Sequence, residues 1–322
     1  MVWVRGVGVG INASVFAAND LSIAVDNVFI KFFRNNDSFK TEKKHLEISL
    51  FWDMHTSVNE SLPISVAIVT LNEQVNLPRC LASLQGLARE IVIVDAGSTD
   101  GTRASAESYG ARIYHQAWLG FREQKQLAFS HCLQPWVLAL DSDEELSPQL
   151  RKEIVSFFSN GSSDRHQGAS FPRMVHFMGR WIRHGDWYPD RKLRLVQRER
   201  ARYVGSSAHD KLELDTGCTI LPMKGDLHHY SFRDSNHYIS KINVFSDAHL
   251  RDQLEAGRGW SLMATLTRPW WRFFRAYILR AGFLDGFPGL WIAIGTAYQT
   301  FIRHSRLYEW KRQQETVSAP LE

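Results

Sequence analysis

Over residues 64–158 the chain alternates short apolar runs with stretches of helical period, and this alternation constrains the fold more than any other feature. ISVAIVT (64–70), IVIVD (91–95), residues 111–114 and WVLAL (136–140) are nearly unbroken apolar runs, as strands covered on both faces must be. Between them lie Leu77, Cys80, Leu81 and Leu84, then 102–109, 121–129 and 148–158. The last of these has Ser147 placed to cap it and Pro148 at its first helical position. Strands alternating with helices of this length predict an α/β fold of βαβ units with a mostly parallel sheet. In such sheets ligands bind at the carboxyl ends of the strands.

Three of these strand ends carry acids: Thr70-Leu71-Asn72-Glu73, then the run from Asp95 to Gly101, then Asp141-Ser142-Asp143-Glu144-Glu145. An acidic side chain there can accept from a base N–H or a ribose hydroxyl. Two carboxylates at i and i+2 after a buried strand suit a hard cation, Mg²⁺ or Mn²⁺. Such an ion takes one or two carboxylates and fills its other positions with water and phosphate oxygens. Each acid also has a purely structural reading, Asp95 as a turn former and the DSD run as a solvated turn before the helix at Pro148.

Composition narrows the class. With 44% apolar and 12% aromatic residues the chain can bury a sizeable core, which excludes disorder as its main state. Cys80, Cys132 and Cys218 fit neither a metal knuckle nor a disulfide framework and read as reduced cytosolic thiols. A net charge of +4 is too small for a nucleic-acid partner. Residues 258–312 nevertheless hold nine Arg and Lys against Asp285 and Glu309, an excess of seven, so the rest carries −3. There Pro269 is expected to open a helix in which Trp270, Trp271, Phe273, Phe274, Tyr277 and Ile278 stand among Arg268, Arg272, Arg275 and Arg280, suiting an anionic membrane interface. A basic excess of this kind has no evident use inside a protein. Residues 286–302 are uncharged but contain Pro288, too short a run for a span and better as an interfacial or re-entrant segment. His228, His229 and His237 read as partly buried, hydrogen-bonded histidines, with His229 near enough in the chain to reach a diphosphate or metal.

TLNE, VDAGSTDGT and LDSDEE, each after an apolar strand, resemble the inverting family 2 glycosyltransferases of the GT-A fold. The resemblance implies a UDP-sugar donor, with Thr70, Glu73 and Asp95 on uracil and ribose, Asp141 on ribose or a metal-bound water, and Asp143 on the metal, Mg²⁺ or Mn²⁺. Leu71 stands where many relatives have an aromatic residue to stack on uracil. GRWIRHGDWYPDRKLRLV, AHDKLEL, HHYSFRD and RAYILRAGFLDGFPGLWIA resemble the subgroup that adds glucose to the lipopolysaccharide core. That implies a lipid-linked saccharide acceptor and an enzyme peripheral on the cytoplasmic face of the inner membrane. His209-Asp210 matches the position of the family's general base, with Asp210 first and His209 in reserve, and Lys125 or Arg194 would steady the leaving diphosphate. Rival readings are transfer to a polyprenyl phosphate and a catalytically silent sugar-nucleotide sensor.

The domains expected are an N-terminal extension (1–62), a GT-A domain (63–235) and a C-terminal helical amphipathic region (236–322). The first stretch is Gly-broken, a poor signal peptide with no room for a spanning helix, and its GVGVG lacks the third Gly of a dinucleotide fingerprint. Met54 stands just before the first clear strand, and the native chain is expected to begin there. Intact-mass measurement of protein from its source checks this, and a species starting at Met1 contradicts it.

Overall fold

The computed structural model describes residues 21–25, 28–32, 61–205 and 210–317. The chain divides into two units, Met1–Asn59 and Glu60–Glu322. In the first, the described backbone is an antiparallel pair, Leu21–Val25 with Val28–Phe32. The rest of the N-terminal extension, Met54 included, lies outside the described residues.

The second unit begins with β1 (Leu62–Thr70), α1 (Leu77–Leu84), β2 (Ala88–Asp95), α2 (Thr102–Ser108), β3 (Arg112–His115), α3 (Phe121–Ser130) and β4 (Trp136–Asp141). Next come β5 (Glu144–Leu146), α4 (Pro148–Ser159), the single turn α5 (Ser162–Arg165), β6 (Gly168–Phe177), β7 (Arg180–Trp181) and β8 (Asp190–Gln197). The small pair β9 (Ala201–Val204) and β10 (Lys211–Leu214), then β11 (Ile220–Pro222) and β12 (Leu227–His229), complete the strands. Three helices follow, α6 (Ser235–Glu255), α7 (Leu262–Phe274) and α8 (Gly286–Val317).

One sheet runs β3-β2-β1-β4-β8-β6-β12-β5, with β11 and β7 also paired to β6. The first four strands are parallel, β8 runs against its two neighbours, and β12 and β11 are parallel to β6. This is the Rossmann-like, mostly parallel sheet of a GT-A domain. Alternate residues of its strands feed two cores. Ile64, Val66, Ile68, Ile93, Leu138 and Leu140 meet α1, α2 and α4 on one face. Ala67, Val92, Val94, Val137 and Ala139 meet α3 and β10 on the other. Burying each large aliphatic side chain contributes about 1.5–3 kcal/mol. Ser147 caps α4, accepting from the Leu150 N–H, with Pro148 at the first turn as its spacing predicts.

The C-terminal helices dock through a third core of Phe177, Ile182, Tyr238, Ile242 and Ile292, ringed by Trp187, Phe232 and Trp291. Pro269 does not open a helix: α7 starts two turns earlier, where Ser261 caps it by accepting from Ala264 N–H. The cap and the good helix formers after it outweigh the one hydrogen bond that the proline removes. A π-helical turn (Arg275–Leu279) and a 3₁₀ turn (Gly282–Asp285) then lead into α8, bent 71° from α7, with Pro288 harmless near the start of α8. Asp285 is fully buried at this elbow and accepts from the backbone N–H of Arg183 (3.0 Å) and His184 (2.8 Å). Asp186 gathers Arg272 (3.3 Å), Arg275 (3.2 Å) and Arg280 (3.5 Å). Three arginines of the basic excess therefore do have an internal partner, which no spacing along the chain discloses. No single helix among the described residues is long and apolar enough to cross a membrane, and only the bent pair of α7 and α8 qualifies together.

Gly225 fits against α4 so closely that an added Cβ would stand 2.4 Å from both Cα and N of Leu150. Backbone cannot give way as a side-chain tip can, so Gly225→Ala is expected to destabilise by about 1–3 kcal/mol in chemical unfolding. Gly259→Ala, which meets nothing within 4 Å, should stay within about 0.5 kcal/mol of the parent.

Candidate active site

Parallel register brings the acidic strand ends to one edge: Thr70 lies opposite Asp95, and Val69 opposite Asp141. The two loops that leave β1 and β2 are fastened together. Asn72, in the left-handed conformation at φ 55°, donates its N–H to Ser98 Oγ (2.9 Å) and accepts from Thr99 N–H (2.9 Å) through Oδ1. Glu73 N–H donates to Thr102 Oγ1 (2.8 Å), Gln74 N–H to Asp100 (3.2 Å), and Gly101 N–H to Gln74 Oε1 (2.9 Å). Asn tolerates this conformation better than other non-glycine residues because its side chain bonds locally. Asp95, 1% exposed, turns back on its own loop and accepts from Gly97 N–H, Ser98 N–H and Ser98 Oγ. It therefore shapes the loop that would face a nucleotide. Thr70 Oγ1 beside it is buried without a partner among the described residues, and Leu71 at the mouth is exposed.

The end of β4 is held by cations. Lys125 on α3 reaches Asp141 Oδ1 at 2.8 Å and Asp210 Oδ2 at 3.3 Å. Arg194 on β8 reaches Asp141 Oδ2 at 2.9 Å and also bonds Glu144, which is completely buried. Glu144 accepts in addition from the Asp141 N–H (3.0 Å), and Arg173 lies 3.6 Å away. Burial alone would raise the Asp141 pKa; Lys125 and Arg194 overcome it and hold the carboxyl well below its usual range. Burial works against Lys125 too, and Asp141 reverses it, so the ammonium stays charged. Both oxygens of Asp141 are thus engaged, one by Lys125 and one by Arg194.

Asp143 is differently placed. Its Oδ2 lies 3.4 Å from Nε2 of His229, which β12 brings alongside through its pairing with β5. Burial would raise the Asp143 pKa, and His229 pulls it below the usual value. Glu73 is raised by burial, with Asp143 adding to the rise and Lys241 and Arg233 opposing it. Glu73, Asp143, Lys241 and Arg233 thus feel one another's charge. A carboxylate and an imidazole suit Mn²⁺ or Mg²⁺ as the protein's share of a coordination sphere whose remaining positions belong to water and phosphate oxygens. No cluster of three such side chains occurs among the described residues. Asp210 joins the site through Lys125; His209 lies outside the described residues.

Sequence reasoning passed over Glu144, Arg173, Lys241 and Arg233. Glu144 had a signal, its place in the acidic run that follows β4, whereas Lys241 comes from a helix whose docking only the fold reveals. Arg194→Met, which takes the nearer of two arginines from the buried Glu144, should cost about 3–5 kcal/mol in chemical unfolding. Asp141, Asp143 and Asp190 all titrate below their ordinary values in the folded state. Their contribution to stability is therefore complete above about pH 4 and is lost as pH falls through the lowered folded-state values. Unfolding free energy measured from pH 7 to pH 3 should fall along this acid limb, and Asp141→Asn should flatten it.

A family model described as glycosyl transferase family 2 matches residues 65–211. The chain is 31% identical over 257 residues to the lipopolysaccharide core biosynthesis glycosyltransferase LpsC of Rhizobium meliloti (strain 1021), covering 76% of this chain and 94% of that one. It is 30% identical over 279 residues to the uncharacterized glycosyltransferase RC0292 of Rickettsia conorii (strain ATCC VR-613 / Malish 7), covering 83% and 96%. Mannosyl-3-phosphoglycerate synthase from Rubrobacter xylanophilus is a looser structural neighbour, at 17% identity and TM-score 0.41 over 62% of this chain and 76% of that one. With matched strand-end motifs and relatives spanned almost end to end, the chain belongs to glycosyltransferase family 2 and is a sugar-transferring enzyme.

Proposed function

We propose that the enzyme moves a hexose, glucose in the first instance, from a UDP-sugar to a lipid-linked lipopolysaccharide core saccharide. It would do so with inversion and with Mg²⁺ or Mn²⁺, working peripherally on the cytoplasmic face of the inner membrane. The observation that carries the reading is the Lys125 bridge, which ties a candidate base, Asp210, to the acidic end of the central strand. Similarity to LpsC over most of both chains supports the acceptor class.

In this mechanism the uridine lies against the fastened β1 and β2 loops, where the unpaired Thr70 hydroxyl is available to it. Asp143 and His229 would hold the divalent ion, which supplies positive charge against the leaving diphosphate. Asp210 accepts the acceptor hydroxyl's proton as its oxygen attacks the anomeric carbon. The bond from that carbon to the diphosphate oxygen breaks on the opposite side, and its electron pair leaves with UDP. Lys125, 3.3 Å from Asp210, holds that carboxylate in place. Lys241, whose charge is felt by both Asp143 and Glu73, is the nearby cation for the diphosphate.

Lipopolysaccharide from cells lacking the protein is expected to be lighter by one hexose in mass spectrometry; an unchanged core overturns the acceptor assignment. With purified enzyme, Asp210→Asn should lower kcat by about 10²–10⁴-fold with little change in donor KM. An Asp210→Asn enzyme that keeps most of its activity points instead to an already anionic polyprenyl phosphate acceptor. Asp143→Ala should weaken Mn²⁺ binding, read by the electron paramagnetic resonance signal of the free ion in the presence of UDP.

A further inference from the structure

Away from the carboxylates, α6, α7 and α8 enclose an open cleft of about 400 Å³ lined by His249, Arg268, Trp271, Arg272, Arg303 and His304. No carboxylate lines it. Arg272 shares Asp186 with Arg275 and Arg280, and no described carboxylate lies within ion-pairing distance of Arg268 or Arg303. His304 is only 7% exposed, yet its Nδ1 has no hydrogen-bond partner among the described residues, and neither has the buried Nε of Arg303. Native proteins seldom leave such atoms unpaired, because a buried polar atom without a partner has lost its water and gained nothing in return. Burial, and then Arg272, press the Arg303 pKa below the usual arginine value; burial, and then Arg268, do the same to His304. The cleft is short of negative charge and has donors waiting for it.

Its surroundings say what kind of anion. Leu266, Trp270 and Phe274 follow one another at four-residue spacing on α7, and all are exposed, as is Trp271 at the cleft itself. An apolar stripe beside a cationic cleft matches an amphiphile whose charged end is compact and whose remainder is hydrocarbon. A phosphomonoester, with more than one negative charge near neutral pH and three acceptor oxygens, satisfies several guanidinium and imidazole donors at once. A phosphodiester carries less charge and fewer free oxygens.

We propose that this cleft binds the phosphomonoester headgroup of a membrane lipid through Arg268, Arg272, Arg303 and His304, with the stripe of α7 lying in the acyl boundary. The inference rests on the membrane-surface reading above and is independent of the transfer chemistry, the donor and the base. The test is flotation of the full chain, without sugar nucleotide, with phosphatidylcholine vesicles containing equal fractions of phosphatidic acid or phosphatidylglycerol. Phosphatidic acid vesicles should bind about tenfold more tightly than phosphatidylglycerol vesicles. R268Q/R303Q should erase that preference. R268Q alone, at an exposed side chain where folding is not at stake, should reduce it several-fold. R251Q/R258Q, which removes two exposed charges that do not line the cleft, should weaken binding to both lipids alike and keep the preference. Equal binding to the two lipids, a preference that survives R268Q/R303Q, or inorganic phosphate binding as tightly as the phosphatidic acid vesicles would each overturn the proposal. Binding to both anionic vesicles without preference leaves the membrane reading standing, whereas binding to neither removes both.

Discussion

The site depends on one carboxylate. Asp141 ends the central strand β4 with a cation on each oxygen, Lys125 from a helix on one side and Arg194 from the antiparallel strand on the other. Lys125 carries the connection on to Asp210, and Arg194 carries it on to the buried Glu144. A buried charge network of this kind is weak evidence for stability, because well-packed apolar residues can do as well. Its effect here is positional: it fixes where Asp210, the proposed base, stands relative to the strand ends. Asp143, two residues on, is held through His229 instead.

Much of the sheet could be read from the chain because strands buried on both faces leave an unmistakable signature. The runs at 64–70, 91–95 and 136–140 reappear inside β1, β2 and β4, and Ser147 caps α4 as its spacing suggests. The candidate site was legible as a set of strand-end acids and no further. Which acid spends its charge on the fold and which keeps it for a ligand depends on cations that arrive from elsewhere. Arg194 lies more than fifty residues from its partner Asp141, and Lys241 comes from a C-terminal helix. Pro269 misled for a related reason: proline marks a helix start only where no better cap precedes it, and Ser261 does.

The C-terminal helices serve two surfaces at once. Trp187, Trp291, Phe177 and Tyr238 stack into a core that joins them to the sheet, while Trp270 and Trp271 remain exposed. A tryptophan-rich stretch need not be entirely core or entirely interface. The elbow at Asp285 divides these duties, because its buried carboxylate ties the bend to the segment after β7 and leaves α7 to face outward.

The fastening between the β1 and β2 loops has a consequence for how such enzymes diverge. Asn72, Gln74, Ser98, Asp100 and Thr102 all bond across the gap, with backbone from one loop answered by side chain from the other. A replacement in one loop strips a partner from its opposite, so neither can drift alone. The two short motifs, twenty-odd residues apart along the chain, are therefore expected to change together.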